Sequence, residues 1–182
     1  MTGDDARRAR LSELFAAHAD HVLRYALRHV DRPGAHDIVS DTFLVAWQRL
    51  DDVPDPALPW LLVVARNSIR NRRRSNTRRQ RVTTHLVAVE RAAATAAAAD
   101  ELALERESLV RALGRLTDDQ REALLLVAWD GLSAAEAAAV MGCSRATFDV
   151  RLHRARKRLQ QALREDDDPQ PEPIPDLTES RS

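Results

Sequence analysis

The stretch LSAAEAAAVMGCSRATFDVRLHRARKRLQQ, residues 132–161, most narrows what this chain can become. It reads as a helix, a tight turn and a longer basic helix. Ser133 and Glu136 stand at capping-box spacing for the first helix, Gly142 supplies the turn, and Ser144 can cap the second. Along the second helix Phe148, Leu152, Ala155, Leu159 and Leu163 share one face, which predicts that this face packs inward. At about 100° per residue, Thr147, Arg151, Arg154 and Arg158 form a second stripe roughly a quarter-turn away. One helix thus carries an apolar side for its own unit and a cationic side for an anion, the build of a DNA-reading helix-turn-helix. An Arg-rich surface helix that binds nothing has the same pattern, so the rest of the chain must decide.

The formal net charge is zero, but the charges are segregated. Between positions 66 and 81 lie Arg66, Arg70, Arg72, Arg73, Arg74, Arg78, Arg79 and Arg81, with no acid among them. From 165 to 182 the acids are Glu165, Asp166, Asp167, Asp168, Glu172, Asp176 and Glu179, against Arg181 alone. A neutral average conceals a polycationic segment and an acidic tail, and eight like charges in sixteen residues repel unless something anionic is near. The hydrophobic fraction of 44% suffices for cores, while aromatics at 4% and only 5 glycines favour an all-α protein over a sheet protein.

Apolar positions from Leu11 to about Val30 recur with a helical rhythm. Asp31-Arg32-Pro33-Gly34 is a turn, and AHDIVSDTFLVAWQRL is a second helix with Ile38, Val39, Thr42, Phe43, Ala46 and Leu50 near one face. Pro54, Pro56 and Pro59 stiffen the following loop, and a third helix starts near Trp60. The expected organisation is a flexible N-terminus over 1–10, a helical domain over 11–80, an Ala-rich linker over 81–100, a second helical domain over 101–164, and a disordered acidic, Pro-rich tail over 165–182. In the second domain Thr117-Asp118-Asp119-Gln120 is another capping box.

These segments resemble the extracytoplasmic-function group of bacterial sigma-70 RNA polymerase sigma factors, over about 150 residues by the span of the motifs. AHDIVSDTFLVAWQRL looks like the segment that docks on the polymerase clamp helices, with Asp37, Val39, Thr42, Phe43, Leu44, Ala46 and Trp47 matching and Ser40-Asp41 replacing the usual Gln-Glu pair. PWLLVVARNSIRNRRR resembles the promoter −10 helix, with Trp60, Leu61, Ala65, Arg66, Asn67 and Asn71 in place. The stretch from 116 to 159 resembles the −35 domain, with Phe148 and Val150 where Val and Ser are commoner. The resemblance implies two helical domains, no catalysis and no cofactor. It implies binding to the clamp helices and flap regions of core RNA polymerase and to promoter DNA, the possibility of an anti-sigma partner, and a cytoplasmic location. The residues it singles out are Asp37, Asp41, Thr42, Phe43 and Trp47 for polymerase docking. For the −10 element they are Trp60, Arg66, Asn67, Arg70, Asn71, Arg73 and Arg74, and for the −35 element Ser144, Arg145, Thr147, Arg151, Arg154 and Arg158.

Elementary chemistry agrees. A protein that opens a duplex must grip phosphates and hold unstacked bases. The arginine run offers the grip and Asn67, Asn71 and Asn76 adaptable hydrogen bonds. Trp60 can support a base or be a core residue at a helix start, and Trp47 can be core or docking surface. Asp37 and Asp41, four apart on one helix, suit a basic partner better than catalysis, since no convergent His or metal-ligand motif such as H-E-x-x-H accompanies them. Cys143 is the only cysteine, which excludes an internal disulfide. It is expected to pack as a small apolar side chain rather than act as a redox sensor. No 18-residue apolar run or signal-peptide core is present, so membrane insertion is not expected. Two rival functions fit the helix-turn-helix less completely: a stand-alone transcriptional regulator, and a helical adaptor that binds only protein.

Overall fold

The computed structural model describes residues 3–76 and 101–167, and among them seven α-helices and one 3-10 turn. The first unit is α1 (Gly3–Leu27), α2 (Arg32–Gln48), the turn Leu50–Asp52 and α3 (Leu58–Asn76). The second is α4 (Glu101–Gly114), α5 (Asp118–Ala128), α6 (Ala134–Met141) and α7 (Arg145–Asp167). Residues 77–100, with the expected linker and Asn76's neighbouring arginines Arg78, Arg79 and Arg81, and the tail from Asp168 lie outside the described residues.

Helix α1 starts at Gly3, not near Leu11 as expected. Its first turn carries Asp4 and Asp5, favourable at a helix N-terminus, and Arg8 pairs with Asp4 at 2.6 Å. Arg7 donates to Asp51 (2.8 Å) and to the Trp47 carbonyl (3.3 Å), and Arg10 to the Val53 carbonyl (3.3 Å). These contacts hold a polar N-terminus against α2 and the Pro-rich loop, a docking no apolar periodicity could announce. The α1–α2 turn rests on Asp31, whose side chain accepts from the Gly34 amide at 3.2 Å. A Cβ at Gly34 would sit 2.7 Å from that carboxylate oxygen, which is why glycine stands there.

In the second unit both capping boxes form. Thr117 and Gln120 exchange bonds of 3.3 and 3.1 Å, and Ser133 and Glu136 bonds of 3.3 and 2.8 Å. Helix α6 ends at Gly142, φ +66°, with the Cys143 amide bonded back to the Ala138 carbonyl at 3.1 Å. That left-handed closure strongly favours glycine. Arg121 donates to the carbonyls of Leu113 and Leu116, both at 2.9 Å, and so satisfies the end of α4. On α7 the inward face is Phe148, Leu152, Ala155 and, one position from the expected Leu163, Ala162; Leu159 and Leu163 are half-buried. The helix runs to Asp167 because Glu165 and Asp166 pair with Arg115 at 2.8 and 2.7 Å, so the first acids of the tail belong to the fold.

The two units share one apolar cluster. Val22, Tyr25, Ile38, Leu61, Leu62 and Ile69 of the first connect with Leu126, Ala137, Val140, Phe148 and Leu152 of the second. The connection runs where α3 packs on α6. No helix among the described residues is long and apolar enough to cross a membrane.

Candidate nucleic-acid and polymerase interfaces

Helix α2 turns one face to α1 and α3 and the other outward. Thr42 is fully buried and its hydroxyl donates to the Ile38 carbonyl at 2.7 Å; Phe43 is buried with its ring 4.8 Å from that of Phe15. Their spacing from Ile38 and Ala46 puts both on the packed side, so of the expected docking set Asp37, Asp41 and the edge of Trp47 reach the surface. Asp37 and Asp41 are exposed, Asp37 paired with Arg72 of α3 at 3.1 Å. Trp47 is half-buried beneath Arg7, whose guanidinium carbon lies 5.3 Å from the ring centroid. The outward face gains Leu44, 56% exposed, and beside buried Phe43 stands Phe15, 49% exposed on α1. Leu44 is one of the positions that match the docking segment in the sequence. Phe15 lies within the inward rhythm of α1 and carried no such sign.

Helix α3 begins with Trp60 half-buried against the core and ends in a cationic surface. Asn67, Arg70, Asn71, Arg73 and Arg74 are exposed. Arg73 donates to the His29 carbonyl at 3.4 Å, which ties α3 to the end of α1. Arg66 differs: it faces the second unit, with bonds of 2.9 and 3.3 Å to Glu122 and 3.1 Å to the Met141 carbonyl.

At the start of α7 the Ser144 hydroxyl accepts from the Thr147 amide at 3.2 Å and lies 2.8 Å from its hydroxyl. Arg145 is held along the helix by Asp149 at 2.9 Å. Arg154 is exposed; Arg158 donates to the Arg115 carbonyl at 3.1 Å. Arg151, at the centre of the stripe, pairs with Asp119 of α5 at 3.1 Å and points its other nitrogen at Met141 and the half-buried Cys143. Thus Arg145, Thr147 and Arg154 share an open helix front, while Arg151 is turned into the molecule.

The two arginine sets meet across a cavity of about 450 Å³, lined by Arg66, Arg70 and Arg73 from α3 and by Arg121, Glu122 and Arg151 from the second unit. Burial pushes the Glu122 carboxyl up, but the Arg66 bond, the charges of His29 and Arg66, and the Tyr25 hydroxyl outweigh it and hold the group below its ordinary range. Tyr25 donates to Glu122 at 2.8 Å; burial first, then the Glu122 charge, raise its phenol well above the ordinary value, so it stays a donor. Burial alone would lower Arg66, but Glu122 raises it. Glu122 carried no sequence signal, being one acid in the polar part of an amphipathic helix. Among the described residues no group of His, Cys, Asp or Glu could hold a metal ion.

Comparison with known proteins decides what these surfaces belong to. The family described as Sigma-70 region 2 matches residues 14–79, and Sigma-70, region 4 matches 106–159. The ECF RNA polymerase sigma factor SigL of Mycobacterium tuberculosis is 34% identical over 166 residues, spanning 88% of this chain and 92% of its own. The chain belongs to the extracytoplasmic-function group of sigma-70 factors. EcfG of Rhodopseudomonas palustris is 36% identical over 131 residues, 71% of either chain. Among solved structures, the sigma factor RpoE in complex with the anti-sigma factor NepR from Bartonella quintana matches with a TM-score of 0.63 at 28% identity, over 85% of this chain and 97% of that one. CnrH in complex with the cytosolic domain of CnrY matches at 0.57 and 30% identity, over 86% and 88%. As a sigma factor, the chain directs RNA polymerase to promoters, and sigma factors are initiation factors rather than enzymes. The first unit, matched to region 2, leaves the stand-alone regulator and the adaptor without support.

Proposed function

We propose a division of labour within this sigma factor. Polymerase docks on the outward face of α2, through Asp37, Asp41 and Leu44 with Trp47 at its edge. The −10 element is engaged by α3, through Trp60, Arg66, Asn67, Arg70, Asn71, Arg73 and Arg74. The −35 element is read by the front of α7, through Ser144, Arg145, Thr147, Arg151 and Arg154, with Arg158 behind them. The domains follow the helices: a first from Gly3 to the end of α3, a second from α4 to Asp167, and a connecting stretch between. The observation that carries this reading is the segregation of surfaces. One outward face is acidic and apolar, and two helix surfaces are rich in exposed arginine, as a protein partner and a polyanion respectively require. The chain supplies no catalytic group of its own and works where polymerase and chromosome are, in the cytoplasm.

Two structural relatives were solved in complex with the anti-sigma factor NepR and with the cytosolic domain of CnrY, and we extend this to an anti-sigma partner for the present chain. The test of the whole reading is transcription in vitro with purified core enzyme and a library of upstream DNA. Selected promoters sharing two spaced elements are the expected outcome. Specific duplex binding without polymerase, and no transcription with it, would overturn it.

A further inference from the structure

The front of α7 holds an apolar side chain that the fold does not use. At about 100° per residue, Phe148, Leu152 and Ala155 point into the core, and Ala146, Val150 and His153 stand nearly opposite them, at the outward pole of the helix. Val150 is 51% exposed, and Ala146, one turn before it, is exposed as well. Longer side chains stand at the flanks and leave the pole open. On one flank Arg145 donates its Nε hydrogen to both carboxylate oxygens of Asp149, at 2.9 and 3.0 Å. On the other, Thr147 and Arg154 border an open hollow of about 530 Å³ between α7 and the start of α5, and Arg151 turns away to Asp119. Neither packing nor helix propensity accounts for Val150: it buries little, and its branched Cβ is stiff at χ1 in a helix.

A duplex supplies what this apolar pole lacks. The major groove, about 12 Å wide, admits one helix of similar diameter, so the outward pole comes closest to the base edges while the flanks face the groove walls. Those edges carry hydrogen-bond donors and acceptors with one apolar exception, the C5 methyl of thymine. Val150 and Ala146 offer no side-chain hydrogen bond, and only that methyl gives them an apolar surface to cover. A protein partner fits the pole less well, since the exposed Arg145 and Arg154 on either side favour a polyanion. We propose that Val150, with Ala146 beside it, reads a thymine methyl in the −35 element, and so sets one base of the promoter preference of this sigma factor to T. The inference rests on the reading of the α7 front as the −35 reader. It adds a residue that decides sequence while gripping no phosphate.

The experiment uses the holoenzyme, assembled from the full chain and purified core polymerase, on a promoter taken from the library selection above. Each thymine of the −35 element, on either strand, is replaced singly by deoxyuridine, which lacks only the C5 methyl. Fluorescence anisotropy reads the affinity for each duplex. The expected result is one position at which deoxyuridine weakens binding about fourfold, the worth of one buried methyl group. With Val150→Ser, thymine and deoxyuridine should bind alike at that position, and a repeated library selection should lose its T there. Arg154→Ala should weaken binding to both duplexes and keep the fourfold ratio between them. Deoxyuridine without effect at every position overturns the proposal, as does a ratio that persists in Val150→Ser. A Val150→Ser holoenzyme that keeps the ratio but is recovered poorly with core enzyme assigns the side chain to a protein contact instead. Thermal melts keep the variant interpretable, since an exposed Val150→Ser should leave the midpoint in place. Replacing the whole −35 element with random sequence tests the underlying reading separately. Unchanged affinity there would sink the −35 role of α7 itself, whereas a large loss with no deoxyuridine effect would sink the thymine contact alone.

Discussion

Arg28 at the end of α1 and Asp130 beyond α5 form a buried, two-point ion pair across 102 residues of chain. The Arg28 guanidinium also lies 5.1 Å from the Tyr25 ring centroid, so one side chain joins the last turn of the first helix to both the core and the second unit. Removing one partner strands a buried charge. Arg28→Ala or Asp130→Ala is expected to cost about 3–5 kcal/mol, read by urea denaturation. The paired replacement Arg28→Met with Asp130→Leu should recover most of that loss. Single variants as stable as the parent would show that the pair is solvated in solution.

The outward face of α2 should be separable from folding. Asp41→Arg and Leu44→Ser change exposed side chains, so stability should move by only about 0.5 kcal/mol. Co-purification with core polymerase should fall sharply. Phe43→Ala, by contrast, should unfold the first unit at a cost of about 3–5 kcal/mol. Wild-type recovery of polymerase with both surface variants would remove this face from the docking site.

Arg154 lies on the open front of α7 and has no role in holding the units together. Arg154→Ala is expected to cost about 1–3 kcal/mol of promoter affinity if it contacts a base, relaxing specificity at one −35 position. Opening of a pre-melted template, followed by permanganate footprinting, should be largely unchanged. Equal loss on a template without a −35 element would contradict the assignment.

The turn between α6 and α7 depends on local chemistry. Ser133→Ala removes the acceptor for the Glu136 amide and should cost about 1 kcal/mol. Gly142→Ala forces a side chain into φ +66° and should cost about 1–2 kcal/mol, although its Cβ would meet nothing within 4 Å. Thermal melts of the two variants measure both, and a neutral Gly142→Ala would mean that the turn relaxes.

Glu122 sets a pH dependence with a definite sign. Its folded-state carboxyl titrates below the ordinary range, so it stabilises the packing of the two units above that range, and the contribution is lost as pH falls through the lowered value. The groups facing it are Tyr25 from α1, His29 from the turn after it and Arg66 from α3. Compactness measured by scattering should hold through neutral pH and loosen on acidification beyond the usual carboxylate range. Glu122→Gln should remove this step, and an identical acid profile in both proteins would rule Glu122 out as its source.

Local chemistry was legible before any coordinate. The capping boxes at Thr117 and Ser133, the turn at Gly142, and the inward placing of Phe148 and Leu152 follow from patterns within a few residues, where hydrogen-bond reach and helical period determine the outcome. The cationic surfaces of α3 and α7 were legible for the same reason, since arginine spacing on a helix fixes which side it occupies. Periodicity already put Thr42 and Phe43 on the apolar face of α2, and both are buried there.

What only the tertiary structure decided are relations between groups far apart in the chain. That α1 begins at Gly3 depends on Arg7 and Arg10 finding acceptors near residues 47–53. That Arg66 faces Glu122 rather than solvent, and Arg151 faces Asp119 rather than an open groove, depends on α3 packing against α6. Helical period specifies the face on which an arginine stands. Only the assembled core, with its desolvated pairs at Arg28–Asp130 and Arg66–Glu122, specifies what that face meets, because an ion pair across such distances leaves no trace in local spacing.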